Sequence, residues 1–373
     1  MNIIQIDLAN KKQVNEFIDL PFHIYLGTPQ WVPSLLIDER ARLNPKRYPF
    51  YRHSAAAFFL AYEDGHPIGR LAVLDNRRYN DYYQAHGAFF YLFECENNPG
   101  AADALFHAAF HWARERGLNE IIGPKGFTPL DGFGLLVKGF EHRPAFGLPY
   151  NLSYYPALIE AQGFETAREG VSGYLGTNIQ FPPRILELAE RIAVRRGLHI
   201  MRCRNRSELR ALVPHVKELY NASLGGIHGN TPLTDEEVNS MANQILWLAD
   251  PKLIKLVMKG EKAVGFLLAY PDVSAALQKA RGRLFPFGWL TLLLELRRTD
   301  WVNINGAGLL PEYRGSGGTA ILYSEMFKSV AENPRYRHAD IVQIGMENEA
   351  MQRDLENFGI DFYKMHRIYR RGL

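Results

Sequence analysis

The feature that most constrains this chain is an order of elements that occurs twice along its 373 residues. In each half, an apolar hairpin is followed by a strand, a helix, another strand and a short helix. The first set is the hairpin at 57–76, the strand at 87–95, the helix at 101–117, the strand NEIIGP and the helix at 156–162. The second is the hairpin at 253–272, the strand at 302–310, the helix at 317–333, the strand at 339–346, the helix at 348–359 and a final strand, DFYKMHRIYR. This alternation predicts a mixed α/β (α+β) chain, and its repetition predicts two copies of one fold.

Turn residues support these boundaries. Asp64-Gly65 supplies the positive-φ turn that a tight hairpin needs, and Gly117 is a natural helix stop. Between the two sets, a double proline opens a helical pattern that we interpret as a linker. The expected domains are therefore an N-terminal copy at 1–180, a linking helix at 181–197 and a C-terminal copy at 198–373.

The composition excludes several classes of protein. Hydrophobic residues make up 47% and charged residues 22%, with a net charge of +3, as in ordinary soluble proteins. The charge is spread along the chain, which argues against nucleic-acid binding. Two cysteines outside any CxxC or Cys/His cluster favour a reducing compartment and predict no metal site. No signal-peptide pattern is visible at the start. We expect a cytoplasmic protein without a nucleic-acid or membrane partner, and a homodimer is left open.

The strongest local motif is LLPEYRGSGGTAIL at 309–322, a strand that runs through a glycine-rich turn into a helix. Glycines let the backbone approach an anion closely, and the first N–H groups of the helix point at it. The helix dipole favours negative charge there, and Arg314 can add a charge-assisted contact. A P-loop lysine is missing. The motif therefore predicts a pyrophosphate cradle without nucleotide hydrolysis.

The run from Arg314 to Thr319 resembles the acyl-CoA loop of the GNAT acyltransferase superfamily, Arg/Gln-x-x-Gly-x-Gly/Ala, with Thr319 in place of the last glycine or alanine. The helix that begins at Asn348 and ends with Gly359 resembles a second signature of that superfamily. The resemblance implies two tandem GNAT-like folds, each a twisted mixed sheet flanked by helices. It also implies that the second copy binds acetyl-CoA or another acyl-CoA.

The resemblance further implies roles for individual residues. The backbone at two strand residues would pair with the pantetheine arm, the turn would bind pyrophosphate, and an asparagine would lie beside the arm near the thioester. The expected cofactor-binding residues are Leu309, Leu310, Arg314, Gly315, Ser316, Gly317, Gly318, Thr319, Ala320 and Asn348. The implied activity is N-acyl transfer, with N-acetyl transfer favoured, to an amine of a small molecule or peptide by direct attack.

The first copy lacks this loop. Its equivalent turn at 93–100 has no glycine run and carries two acids, which would repel phosphate. Segments at 123–127 and 148–155 resemble bacterial GNAT-like proteins of this length whose substrates are poorly defined. The candidate acceptor-binding residues are Glu94, Glu96, Tyr150, Asn151 and Tyr155. The alternative is that these tyrosines are packing residues and the acids a solvated strand end.

Catalytic groups are harder to identify. The tyrosine that protonates the leaving thiolate in many GNAT enzymes corresponds here to Leu355. Glu347 follows a predicted strand and is a candidate base, with an ordinary surface residue as the alternative. His228 lies on a predicted loop, where a lone histidine is usually just solvated. We assign no catalytic acid or base from the sequence.

Other functions stay open at this point. One alternative is a non-catalytic protein that binds acyl-CoA or a metabolite. Another is an aminoacyl transferase of the peptidoglycan-bridge type, whose tandem GNAT layout is similar but which needs a more basic channel. Mycothiol synthase also resembles this layout. The apolar segment at 284–296, too short to span a bilayer, predicts a buried helix, a lid, an acyl-pocket wall or a dimer contact.

Overall fold

The chain divides into two units in its structure, a computed structural model that describes residues 1–129, 131–176, 183–224, 229–314, 317–333 and 335–373. Unit 1 comprises Met1–Gly170, Ser274–Leu293 and Lys364–Leu373, and unit 2 comprises Val171–Val273 and Leu294–Tyr363. This corrects the continuous domains expected from the sequence, because unit 1 takes two segments from the second half of the chain. The expected linking helix belongs to unit 2. Of the residues singled out above, Gly315, Ser316 and His228 lie outside the described residues.

The elements as far as residue 176 start with a short strand and two helices. In chain order they are β1 Asn2–Gln5, α1 Lys11–Ile24, α2 Leu36–Arg42, β2 Ala55–Glu63, β3 His66–Asp75, α3 Arg77–Tyr83, β4 Gly87–Cys95, α4 Pro99–Arg114, β5 Glu120–Gly123, β6 Leu135–Lys138, α5 Tyr155–Glu160 and β7 Glu165–Gly176.

The later elements start with the helix that had been expected to link the two copies. They are α6 Pro183–Arg196, β8 Leu198–Met201, α7 Arg206–Leu224, α8 Asp235–Ile245, β9 Ile254–Lys259, β10 Lys262–Pro271, α9 Ser274–Ala280, α10 Gly288–Arg298, β11 Trp301–Leu309, α11 Gly318–Ala331, β12 His338–Gly345, α12 Glu349–Asn357 and β13 Asp361–Gly372.

The sheet of unit 1 has the strand order β1-β2-β3-β4-β5-β13-β7, and β6 also pairs with β13. Neighbouring strands from β1 to β4 are antiparallel, whereas β4 and β5 are parallel. One apolar cluster, including Phe90 and Phe106, joins the sheet to α4 and α5. A second, including Phe17, Phe58 and Phe127, joins it to α1. A sheet that buries both faces needs apolar residues in succession, which explains the unbroken runs in β2 and β3.

The sheet of unit 2 has the strand order β7-β12-β11-β10-β9-β8. The pairs from β8 to β11 are antiparallel, and β11 and β12 are parallel. Helix α11 packs against β9 and β10, and α7 packs against β10 and β11.

The segment Ser274–Leu293 belongs to unit 1 because its polar groups bond there. The side-chain amide of Gln278 donates to the carbonyl oxygens of Pro29 and Trp31, at 2.7 and 2.9 Å. The amide of Leu36 donates to Gly282 at 2.9 Å. Sequence patterns report local structure and could not reveal these distant partners.

Strand register confirms that the fold is duplicated. In unit 1, Gly69 of β3 pairs with Cys95 of β4, and in unit 2, Gly265 of β10 pairs with Leu309 of β11. The parallel pairs start at Gly87↔Glu120 and Trp301↔His338. Each middle strand also carries a bulge with a positive-φ residue, Leu92 at φ 52° and Gly306 at φ 116°. Leu92 and Gly306 lie 214 positions apart, as do Cys95 and Leu309, and Gly87 and Trp301.

Candidate functional site

The parallel strands β11 and β12 of unit 2 separate part of the way along. Within the described residues, their pairing ends at Ile304 and Ile341, although β11 has five further residues and β12 four. The register of β11 against β10 shifts between Leu267 and Ala269, which places an extra residue of β11 beside Gly306. A bulge increases the local twist of a strand and turns it away from its neighbour. The result is an unpaired strand edge inside the sheet.

Backbone amides at the end of β11 point in different directions. The amide of Leu310 donates to the carbonyl oxygen of Val264 at 3.0 Å, so it is not available to a ligand. Pairing of the backbone at Leu309 and Leu310 with a pantetheine arm stays a prediction. Alternate residues in an antiparallel pair direct their N–H groups to opposite edges, so the amide of Leu309 points away from β10, toward the edge that β12 has left.

Helix α11 is the next α-helix after this strand and begins nine residues after Leu309, at Gly318. Its N-cap is Gly317, at φ 86°, and among the described residues no side chain caps the helix. The amide of Ile321 donates to the carbonyl oxygen of Gly317 at 3.1 Å. The amides of Gly318, Thr319 and Ala320 belong to the first turn, which has no intrahelical acceptors. This turn can therefore receive an anion.

Packing gives the two glycines of this turn a second explanation. A Cβ on Gly317 would lie 2.5 Å from Cδ1 of Ile192 in α6, and a Cβ on Gly318 would lie 2.8 Å from Cδ2 of Leu309. The sequence motif was attributed to close approach of phosphate. In this structure, glycine also lets α11 lie close to the side chains of Ile192 in α6 and Leu309 in β11.

Arg314 joins two elements at the mouth of the turn. Its Nη2 donates to the carbonyl oxygen of Ser223 at the end of α7, at 2.7 Å, and its Nε donates to that of Leu309, at 3.4 Å. The residue is nonetheless exposed, and a guanidinium carries five N–H groups. No acidic residue occurs between Tyr313 and Tyr323. The local charge therefore favours an anion.

The residues predicted around α12 lie at its beginning. The side-chain oxygen of Asn348 accepts from the amide of Met351 at 3.3 Å, so this asparagine caps the helix. Glu347, the candidate base, is exposed in the preceding turn. Leu355, at the position of the family's tyrosine, is completely buried. A role for Asn348 or Glu347 toward a ligand stays a prediction.

A buried acid that the sequence reading missed lies in β12. Asp340 is 2% exposed and pairs in register with Asn303 of β11, one residue before the strands separate. The hydroxyl of Tyr363 in β13 donates to its Oδ2 at 2.8 Å. Burial and this carboxylate raise the pKa of Tyr363 well above its ordinary value, so the phenol keeps its proton. The sequence feature that could have indicated this acid is the one aspartate inside the apolar strand ADIVQIG.

A buried tyrosine extends this polar strip along β10 and β11. The hydroxyl of Tyr270 accepts from the side-chain amides of Asn305 and Asn303, at 2.7 and 3.3 Å. Burial raises the pKa of Tyr270, so it is a neutral phenol. Asn305 is exposed at the bulge. Unit 2 therefore combines an open strand edge, an uncapped helix and a buried carboxylate.

Unit 1 carries an acid at the position equivalent to Gly308 of unit 2. Glu94 lies 214 positions before Gly308, so the two residues occupy equivalent places in β4 and β11. A Cβ on Gly308 would lie 2.5 Å from Oγ of Ser223 and 2.7 Å from the ring of Phe266. This position is therefore a glycine packed against Ser223 and Phe266 in unit 2, whereas it carries a carboxylate in unit 1.

The carboxylate of Glu94 belongs to a buried network. Its Oε2 accepts from the hydroxyls of Tyr25 and Tyr155, at 2.7 and 2.8 Å, and its Oε1 lies 3.9 Å from Arg70. Burial raises the pKa of Glu94, and Arg70 opposes this shift. Arg70 also donates to the carbonyl of Phe17 at 2.8 Å. Glu94 and Tyr155 thus contact each other in this network, and acceptor binding by them stays a prediction.

The start of α4 is less suited to an anion than that of α11. Asn98 caps it by accepting from the amide of Ala101 at 3.1 Å, and Pro99 has no N–H group. Glu96, the second predicted acid, is exposed just before this cap. The start of α4 therefore has a nearby carboxylate and a first-turn amide that is already bonded, and both disfavour an anion.

The two remaining predicted residues also bond to backbone groups. Asn151 is 4% exposed, accepts from the amide of Leu136 at 2.7 Å and donates to its carbonyl at 3.0 Å. The hydroxyl of Tyr150 donates to the carbonyl of Phe140 at 3.0 Å. Both residues fix loops of unit 1, and acceptor binding by them stays a prediction.

Comparison with known proteins supports the fold. The chain is similar, over 100% of its length and 98% of that protein, to the solved tandem GNAT protein from the clavulanic acid biosynthesis pathway, with a TM-score of 0.55 and 12% identity. It is 27% identical to the bacterial ceramide synthase of Caulobacter vibrioides, covering 99% of this chain and 97% of that protein. Protein YghO of Escherichia coli is 26% identical, covering 98% and 94%. No protein-family model matches the chain. Its fold is that of tandem GNAT proteins, as expected.

No helix in the described part of the chain is long and apolar enough to cross a bilayer.

Proposed function

We propose that the chain is an acyl-CoA-dependent N-acyltransferase whose acyl-CoA binds in unit 2. One observation carries this proposal: β11 separates from β12 after Ile304, and the next α-helix, α11, begins at Gly318 with no side chain of the described residues capping it. An extended pantetheine arm can pair with a free strand edge, and a diphosphate can bind a helix N-terminus. Unit 1 has the same strands, but Asn98 caps its helix α4 and Pro99 at the start of that helix has no N–H group.

The residues of unit 2 fit acyl-CoA. The amide of Leu309 would pair with the arm, and the amides of Gly318, Thr319 and Ala320 would hold the diphosphate. Arg314 would add a cation that is already oriented by its bonds to Ser223 and Leu309. Gly315 and Ser316 would complete the turn, as the sequence predicts.

For the acceptor we propose the primary amine of a long-chain amino alcohol. The support is the name of the ceramide synthase relative, which matches along nearly the full length of both chains. A ceramide is the amide of a fatty acid with such an amine, so its synthesis is an N-acylation. This narrows the small-molecule or peptide amine expected from the sequence, and it favours a long acyl chain over acetyl.

The Asp340–Tyr363 pair is our candidate for handling the proton. Bound acyl-CoA supplies a thioester, which an amine converts to an amide with release of the thiol. The attacking amine must lose a proton. Tyr363 is less buried than Asp340 and can accept that proton on its oxygen while its own proton passes to the carboxylate. This relay needs neither the missing tyrosine at position 355 nor Glu347.

An assay of turnover tests the proposal. We would incubate the protein with palmitoyl-CoA or acetyl-CoA and sphinganine, follow thiol release, and identify the amide by mass spectrometry. We expect sphinganine-dependent release with palmitoyl-CoA, and a loss of about 100-fold or more in kcat for Asp340→Asn. Asp361→Asn, at the exposed start of β13, is the matched control and should stay active.

Two outcomes would contradict the proposal. Binding of palmitoyl-CoA without release by sphinganine or any amine in a panel would favour the non-catalytic alternative. Full activity of both Asp340→Asn and Tyr363→Phe would show that the proton leaves by another route.

A further inference from the structure

An apolar segment of unit 1 faces solvent instead of the core. The sequence predicted a buried or lid-forming helix at 284–296, and the helix α10 does form. Its outer side chains are nevertheless exposed. The exposed fractions are 77% for Phe285, 72% for Phe287, 48% for Trp289, 43% for Leu290 and 45% for Leu293. Isolated exposed apolar residues are ordinary, but a contiguous group of this size marks an interaction surface.

This exposed surface has a defined conformation. The amide of Trp289 donates to the carbonyl of Leu284 at 2.8 Å, and its indole N–H donates to that of Pro286 at 3.0 Å. Leu292, on the inner side of α10, is 1% exposed and anchors the helix. These bonds and this anchor hold the backbone of the turn that carries Phe285 and Phe287.

The spacing along α10 gives one continuous outer stripe. Residues 289, 290, 293 and 294 share a face of a helix, because residues four apart lie one above the other. The same stripe ends in Arg297 and Arg298, in the last turn. The 11 residues of α10 span about 16 Å, roughly half the thickness of a bilayer core, so the helix is suited to lie along an interface.

Cations surround the apolar residues. Between positions 279 and 298 the chain has five basic residues, Lys279, Arg281, Arg283, Arg297 and Arg298, and a single acid, Glu295. Glu295 lies 3.9 Å from Arg298, which partly neutralises it. Apolar and tryptophan side chains with basic residues at both ends match the apolar and anionic layers of a phospholipid surface.

We propose that the segment 284–294 inserts into the interface of an anionic phospholipid bilayer, with the flanking arginines on the headgroups. We favour a lipid surface over a second copy of the chain because the stripe combines bulky apolar tips with net positive charge. A symmetric dimer contact would bring these positive charges against one another. The proposal replaces the expectation of no membrane partner. It goes beyond the proposed acyl transfer and does not depend on it, since binding can be measured without substrate.

Vesicle binding tests the proposal directly. The full chain would be sedimented with vesicles of phosphatidylglycerol and phosphatidylcholine, and with pure phosphatidylcholine. We expect stronger binding to the anionic vesicles and weaker binding at high salt. Burial of one phenylalanine ring changes an equilibrium by about tenfold, so Phe285→Ser with Phe287→Ser should weaken binding by roughly 100-fold. Leu26→Ser, at an apolar residue that is 83% exposed elsewhere in unit 1, should change nothing.

Two further measurements separate the contribution of the arginines from that of the apolar residues. Arg281→Gln with Arg283→Gln should weaken binding to anionic vesicles by roughly fivefold or more, and leave binding to neutral vesicles unchanged. Brominated lipid should quench tryptophan emission in the natural protein and much less in Trp289→Phe. Circular dichroism checks that each variant is folded.

The proposal is overturned if the natural protein does not sediment with anionic vesicles. It is equally overturned if the double serine variant binds these vesicles as tightly as the natural protein. It is also overturned if light scattering shows a dimer that the double serine variant converts to a monomer while vesicle binding is unaffected. In that case a second copy covers the segment.

Discussion

Replacement of Thr319 by glutamate should change stability and ligand affinity in opposite directions. Thr319 is half-buried in the first turn of α11, between Gly318 and Ala320. A carboxylate in the first turn of a helix interacts favourably with the helix dipole, so the free energy of unfolding should rise by about 0.3 to 1 kcal/mol. The same carboxylate would lie beside the proposed diphosphate. Measuring both quantities also controls for unfolding. A variant that lost affinity because it was unfolded would not show a higher free energy of unfolding.

The expected loss of affinity follows from Coulomb's law. At a separation of about 5 Å, two unit charges repel by about 1 to 3 kcal/mol for effective dielectric constants between about 80 and 20. That corresponds to a roughly 5- to 150-fold increase in Kd for CoA. Gly317→Glu is a poorer test, because φ is 86° there and its Cβ would meet Ile192 at 2.5 Å. Such a variant would be strained whether or not a ligand binds.

Calorimetric titration of CoA at low salt would measure the effect, with urea unfolding of the same samples. Thr319→Gln is the neutral control and should bind within about twofold of the natural protein. An unchanged Kd in Thr319→Glu would refute the assignment of the diphosphate to this turn. A fall in both stability and affinity would mean that the packing of α11, and not its free amides, determines binding.

Two further predictions concern unit 1. Glu94→Ala should lower the free energy of unfolding by about 3 kcal/mol in denaturant titration, because it leaves buried Arg70 without its carboxylate, and Glu96→Gln should have almost no effect. Equal effects of the two variants would exclude the network as the cause. Burial lowers the pKa of His366 from 6.5 to about 4, so the unfolded chain binds a proton first as the pH falls. Stability should therefore fall by about 3 kcal/mol between pH 7 and pH 4, and His366→Met should remove that part of the slope. An equal pH dependence of stability in the natural protein and in His366→Met would contradict this prediction.

The sequence predicted most elements of local structure to within a few residues. The hairpin at 253–272 is β9 and β10, and the helices at 317–333 and 348–359 are α11 and α12. Periodicity and turn residues are local signals, and they suffice for such elements. The final strand was also predicted. Its partner was not, because its last residues pair with β5 of unit 1, more than 240 positions earlier in the sequence.

The residues of the candidate site also divide into those that a contiguous sequence motif identifies and those whose role depends on distant partners. The glycine-rich turn is a contiguous motif and could be identified from the sequence. Asp340 could not, because its meaning depends on Tyr363 and on the register with Asn303. Glu94 was noticed as an acid near a turn, but its structural network requires Tyr25 and Tyr155, whose positions no sequence pattern relates to it.

The account depends on where the diphosphate of CoA binds, and electron density from a crystal soaked with acyl-CoA would test this most directly. We predict density for the two phosphates at the amides of Gly318, Thr319 and Ala320, with the arm along the free edge of β11. Density against the turn at 93–100 of unit 1, or anywhere away from α11, would contradict the account.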